Sequence, residues 1–190
     1  MMPDATHRPN VEHLATRRYK LLFGIRRSVR YHSYRRQHYI STQSFISFLI
    51  LVLGSGSVLN LFVDIMGAEL FGSLAPVGIT VLASISLVYG PTAKASLHFD
   101  LYRRFIRLER EFLRAELNDK VLDELEGRRL EIEMDEPATY QALNRHCHNE
   151  LLKSEGRYEL LEDLGVWHRL LMGFWRFDDL PRSQRHPIGG

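Results

Sequence analysis

The densest run of reactive side chains in the chain is His146-Cys147-His148, with Glu150 close behind. Imidazole, thiolate and carboxylate are the ligands of zinc sites, which usually need four of them on a tetrahedron. On a helix, residues two apart point to different faces, so His146 and His148 do not converge on one ion. His146 and Glu150, four apart, do share a face, but two ligands are far short of a zinc signature. Cys147 is the single cysteine. It has no triad-like neighbours that would make it a nucleophile, and one cysteine allows no disulfide within the chain. No Gly-x-Gly-x-x-Gly or Walker-type loop is present. Gly54-Ser55-Gly56-Ser57 lies inside an apolar run and reads as a helix-packing surface, not a phosphate cradle. No catalytic residue, metal site or cofactor is therefore expected, and the chain is not read as an enzyme.

The elements around these residues are more informative. The average composition looks soluble, with 25% charged residues and a formal net charge of +2. That average hides a segregation. Ile40 to Val63 and Leu70 to Ala93 contain no Asp, Glu, Lys or Arg. Each window exceeds the roughly 20 apolar residues that a membrane-spanning helix needs. Asp64 to Glu69 separates them, a length suited to a tight helical hairpin. The expected organisation is a basic N-terminal helix at 1–39 and a transmembrane hairpin at 40–93. Its spans lie at about 42–63 and 70–92, with a tip at 64–69. A cytoplasmic helical domain at 94–177 and a disordered tail at 178–190 follow. The fold class is thus an all-α membrane protein: a two-helix transmembrane hairpin, a long amphipathic cytoplasmic helix and a cytoplasmic helical bundle. Pro76 falls near the start of the second span, where a missing N–H matters least.

Charge sets the orientation. Lys20, Arg26, Arg27, Arg30, Arg35 and Arg36 precede the first span, and Lys94, Arg103, Arg104, Arg107 and Arg110 follow the second. The tip has only Asp64 and Glu69. Positive charge stays inside, so both ends are expected to be cytoplasmic. The first 39 residues have no apolar h-region, and no cleavable signal peptide is expected.

The basic approach also carries Tyr19, Tyr31, Tyr34 and Tyr39. It reads as a membrane-proximal anchor of Arg26, Arg27, Arg30, Arg35 and Arg36. Nucleic acid is the alternative partner for such a cluster, and it is not favoured for one that abuts a span. Beyond the second span, Leu97, Leu101, Phe105, Leu108, Phe112, Leu117, Val121 and Leu125 recur at helical steps. They predict one helix from Thr92 to Glu126, continuous with the second span. Such a stripe needs a partner: the N-terminal helix, the C-terminal helices, or the same helix of another subunit. Gly127 is the expected break. Pro137 is expected in the first turn of a helix over about 138–153, capped by Asp135 or Glu136 and ending near Gly156. A last helix over about 158–177, rich in Leu, Trp and Phe, packs on the long helix or lies on the bilayer.

Within the spans, Ser73, Thr80 and Ser84 share one helix face, and Ser47 and Gly54 share another. They either pack the hairpin or meet across subunits to line a pore, with Asn60 and Asp64 near its outer mouth. Two helices cannot enclose a water path, so a channel requires a homo-oligomer.

The order of these parts resembles the SLATT family of bacterial proteins, two-transmembrane domains associated with SMODS and SLOG proteins. Leu22-Phe23-Gly24-Ile25-Arg26-Arg27-Ser28-Val29-Arg30-Tyr31-His32 with Arg35-Arg36 is similar to the family's basic pre-membrane helix. Glu131-Ile132-Glu133 with Pro137, then Asn149-Glu150, look like its cytoplasmic closing segment. The resemblance covers roughly residues 14–175. It implies a pore-forming effector of the bacterial inner membrane, acting in anti-phage or other conflict systems by permeabilisation. Its trigger would come from a sensor, a nucleotide-signal synthase or a reverse transcriptase encoded nearby. A membrane anchor or scaffold that recruits a cytosolic partner is the alternative.

Overall fold

The computed structural model describes residues 8–55, 63, 68–116, 118–178 and 180, with side chains from 12 onward and, in the second helix, from 74. The described residues are all-α. Helix α1 runs Arg8–Gly54, α2 Ala68–Tyr89, α3 Pro91–Arg114, α4 Asp119–Met134 and α5 Gln141–Ser154. A 3-10 turn at Tyr158–Leu160 and a short α6 at Val166–Leu171 complete them. The chain divides into two compact units: Met1–Tyr34 with Phe99–Gly190, and Arg35–His98. Helices α1 and α3 contribute residues to both.

The first unit is built on the apolar stripe. Leu101, Phe105, Leu108 and Phe112 of α3 pack with Leu21 and Ile25 of α1 and with Leu122, Leu125 and Ile132 of α4. Leu101 and Phe105 are 0% exposed, and each such side chain contributes on the order of 1.5–3 kcal/mol through burial. The partners of the stripe are therefore the chain's own helices. Leu97, expected on the same stripe, falls in the other unit and is 42% exposed.

Several boundaries differ from expectation. The long helix stops at Arg114, and Gly127 lies inside α4. Asn118 caps α4, its side chain accepting from the Val121 N–H at 3.0 Å. That satisfies an amide the helix itself leaves unpaired. Gly127 has open space around it, so it costs α4 only propensity. Pro137 opens no helix. Residues 136–140 are irregular, Asp135 closes α4, and α5 begins at Gln141 after Tyr140 donates its N–H to Tyr31 Oη at 3.0 Å. His32, fully buried, stacks on Phe105 at 5.5 Å and places Nε2 3.0 Å from Glu136 Oε1. The connection is thus held by α1.

The expected final helix over 158–177 is broken by a strap, residues 161–165. Asn149 grips it from both sides: Nδ2 donates to the Glu162 carbonyl at 2.6 Å, and the Glu162 N–H donates to Oδ1 at 2.9 Å. Arg145 pairs with the Glu162 carboxylate at 2.9 Å and donates to the Asp163 carbonyl at 3.1 Å. These side chains supply the partners that helical carbonyls and amides would otherwise provide. The expected tail at 178–190 falls largely outside the described residues.

Candidate membrane helix pair and its basic flank

In the unit Arg35–His98, the end of α1 and α2 run antiparallel. Tyr39 meets Tyr89 at 6.1 Å between ring centroids. Ser86 Oγ donates to Gln43 Oε1 at 3.1 Å, and Gly78 lies against Leu53. Partners rise along one helix as they fall along the other. At 1.5 Å per residue, the 22 residues of α2 extend about 33 Å, close to the ~30 Å of a hydrocarbon core.

One stretch among the described residues, Leu74–Arg114, is long and apolar enough to cross a membrane. Only 11% of its 18-residue apolar window is buried. A core helix of a soluble protein would be mostly covered. Here Leu74, Val77, Val81, Ile85, Leu87 and Val88 are exposed. Phe45, Phe48 and Leu51 of α1 are exposed as well. Over its described residues α1 is not apolar enough to cross a membrane by itself, and the far end of the first expected span, at 56–62, lies outside the described residues.

Pro76 is interior to α2, which begins at Ala68 and not at the expected span start. Its missing N–H removes one helical bond in mid-helix. The helix does not join α3 without a break. Gly90 adopts a φ of +58°, and Pro91 starts α3. A left-handed residue suits glycine, and proline suits a first helical position.

The hydroxyl residues separate into two faces. Gln43 is the polar bridge of the pair, accepting from Ser86 and donating from Nε2 to Ser47 Oγ at 3.3 Å. Thr80 and Ser84 are exposed, on a side of α2 away from Gly78 and Ser86. Their hydroxyls donate to the carbonyls of Pro76 and Thr80 at 2.9 and 2.8 Å. Gly54, expected to pack the hairpin, meets open space among the described residues. Asn60, Asp64 and Gly56 lie outside the described residues, as does the side chain of Ser73. Gln43 was not singled out in the sequence. Its signal was an amide side chain in a charge-free window, which also holds Asn60.

The basic flank is engaged with the protein. Arg26 pairs with Glu109 at 2.8 Å, and Arg30 donates to Ser154 Oγ at 3.3 Å. Burial, with Arg129 nearby, lowers the pKa of Arg27 from its ordinary value. In the helix-pair unit, Arg35 is buried, donates to Tyr39 Oη, and lies over that ring 4.5 Å from its centroid. His98 stacks on the same ring at 5.6 Å. The Lys94 ammonium sits 3.4 Å from the Tyr89 ring centroid. Arg36 is half-buried in the same unit. The tyrosines thus act as cation-stacking surfaces.

The His146-Cys147-His148 run diverges. Cys147 is buried and its thiol is pushed up to about 12, chiefly by burial and secondarily by Glu150. His146 Nε2 lies 3.4 Å from Glu150 Oε1. His148 packs edge-on against Phe23 at 5.1 Å. No group of three or more His, Cys, Asp or Glu among the described residues could hold a metal. No known protein family, curated protein or solved structure matches the chain.

Proposed function

We propose that this chain is a membrane effector whose α1–α2 pair crosses the bilayer as a two-span hairpin and permeabilises it by self-assembly. The carrying observation is the bare apolar outer surface of α2 on a helix of spanning length. Water would penalise that surface, whereas lipid would not. The Lys and Arg distribution favours cytoplasmic termini at a bacterial inner membrane. One hairpin cannot enclose water. The Thr80–Ser84 face, turned away from its own partner helix, is the surface we assign to contacts between copies. The order of parts, which resembles the SLATT family, favours a role in bacterial conflict. A sensor, a nucleotide-signal synthase or a reverse transcriptase would then supply the trigger to the helical unit. The test is induced expression with a potential-sensitive dye, alone and with neighbouring gene products. Depolarisation dependent on Thr80 and Ser84 is expected. A normal potential at full expression with every neighbouring product present would sink the pore.

A second reading has its own observation. The α3 stripe is spent inside the chain, so the helical unit has a core of its own and suits a docking platform. In that reading the hairpin only anchors a scaffold that recruits a cytosolic partner. It predicts partner capture by the full chain in detergent while cells stay polarised.

A further inference from the structure

The segment Val166–Phe177 displays the most concentrated apolar surface of the helical unit. Val166, Trp167, Leu170, Phe174 and Trp175 are 64% to 73% exposed. Their backbone is nonetheless fixed. Met172 packs against the cluster of Tyr31, Leu143 and Cys147, and Gln141 donates its N–H to the Arg176 carbonyl at 3.0 Å. The His168 and Phe177 rings meet at 4.6 Å. The segment is thus seated through Met172, with its large aromatic side chains turned outward.

What covers them is constrained by their chemistry. Both tryptophans of the chain are here. Arg169 and Arg176 are interleaved, and no carboxylate occurs from Val166 to Phe177. Among the described residues, the exposed Asp178 pairs with Arg176 at 3.3 Å, so anionic groups can compete for that cation. Trp and Phe beside Arg suit the headgroup layer, where rings sit between water and hydrocarbon and cations meet lipid phosphates. A second protein helix would need regular ridges to pack against. Helix α6 has 6 residues and gives way to turns. Hydrophobic insertion into lipid is non-directional and sets no such requirement.

We propose that Val166–Trp175 docks on a bilayer surface, with Trp167, Leu170, Phe174 and Trp175 in the headgroup layer and Arg169 and Arg176 on anionic lipid phosphates. This rests on the membrane reading of the helix pair, which brings the chain to a bilayer. Because no tryptophan lies elsewhere, tryptophan emission excited beyond the tyrosine band reports this segment alone. The full-length protein is reconstituted into vesicles of phosphatidylcholine and phosphatidylglycerol, with and without brominated acyl chains. Strong quenching by shallow bromines is expected, reduced several-fold in Leu170→Asp and in vesicles lacking phosphatidylglycerol. Co-flotation with vesicles but no bromine quenching would overturn the docking and leave the helix-pair reading standing. Blue-shifted, unquenched emission would assign the surface to a protein partner and overturn it equally. Failure to float would defeat the helix-pair reading, and this proposal with it.

Discussion

Large apolar side chains meet opposite fates in the two units. On α3, Leu101, Phe105, Leu108 and Phe112 vanish into a core shared with α1 and α4. On α2, Leu87 and Val88 stand 84% and 86% exposed. Polar groups show the reverse contrast. The first unit is laced by Arg17 with Asp123 and Glu126, Arg26 with Glu109 and Arg104 with Asp135. From Leu70 to its end α2 carries no charge, and its Thr80 and Ser84 hydroxyls are satisfied on its own carbonyls. One unit is thus built to exclude water from its centre. The other leaves the apolar side chains of its helix pair bare.

Substitutions on the two sides should break this contrast in different ways. The largest effect is expected from Phe105→Ala, a truncation at the centre of the buried stripe. It should cost about 3–5 kcal/mol, read as loss of amide-exchange protection in α3 and α4. Protection kept at wild-type levels would contradict the core described for that unit. Val81→Arg places a charge near the middle of the apolar stretch. Insertion should lose about 2.5–3.5 kcal/mol, seen as a fall in the alkali-resistant membrane fraction. A protein whose α2 faces water would keep the same fraction.

Alkaline titration probes the helical unit next. Cys147 stays protonated in the folded chain up to about 12, while an unfolded thiol ionises near its ordinary value of about 8.5. Above that value the unfolded state holds fewer protons than the folded state, so stability falls as pH rises toward 12. Burial and Glu150 also raise Tyr34 to about 12, which extends the fall in the same direction. Cys147→Ala should flatten the part of the profile that begins near pH 9. An identical slope would remove the thiol as its source.

Smaller changes sharpen the local picture. Asn149→Ala removes both bonds to the Glu162 backbone and should cost about 1–3 kcal/mol, with faster proteolysis confined to residues 161–165. Gly90→Ala asks a side chain to adopt a φ of +58°. It should destabilise the α2–α3 junction by about 1 kcal/mol, measured as a lower melting temperature in detergent.

The contrast was partly readable in advance. Charge-free windows and a stripe at helical steps are periodic, local signals, and they delimit the apolar helix and the core residues of α3. The misread boundaries depended on distant partners. The break after Arg114 turns on Asn118 competing for an amide that Gly127, exposed and unhindered, never contests. The cap-like neighbours of Pro137 predict a helix start there. The irregular path is instead held by Tyr31 and His32, more than a hundred residues away. The strap that breaks the last helix answers to Asn149 and Arg145. For the candidate site, Thr80 and Ser84 were legible as a face. That this face points away from α1 was not, since it depends on which side of α2 Ser86 and Gly78 present to their partner.

The buried thiol has a practical corollary. A chain with one cysteine, sealed and held protonated, is almost silent toward thiol-reactive dyes and spin labels at neutral pH. A reporter cysteine can therefore be added at Thr80, Val88 or Leu170 without removing the native one. Probes attached at those positions would record depth, spacing between copies and surface docking on an otherwise unmodified protein.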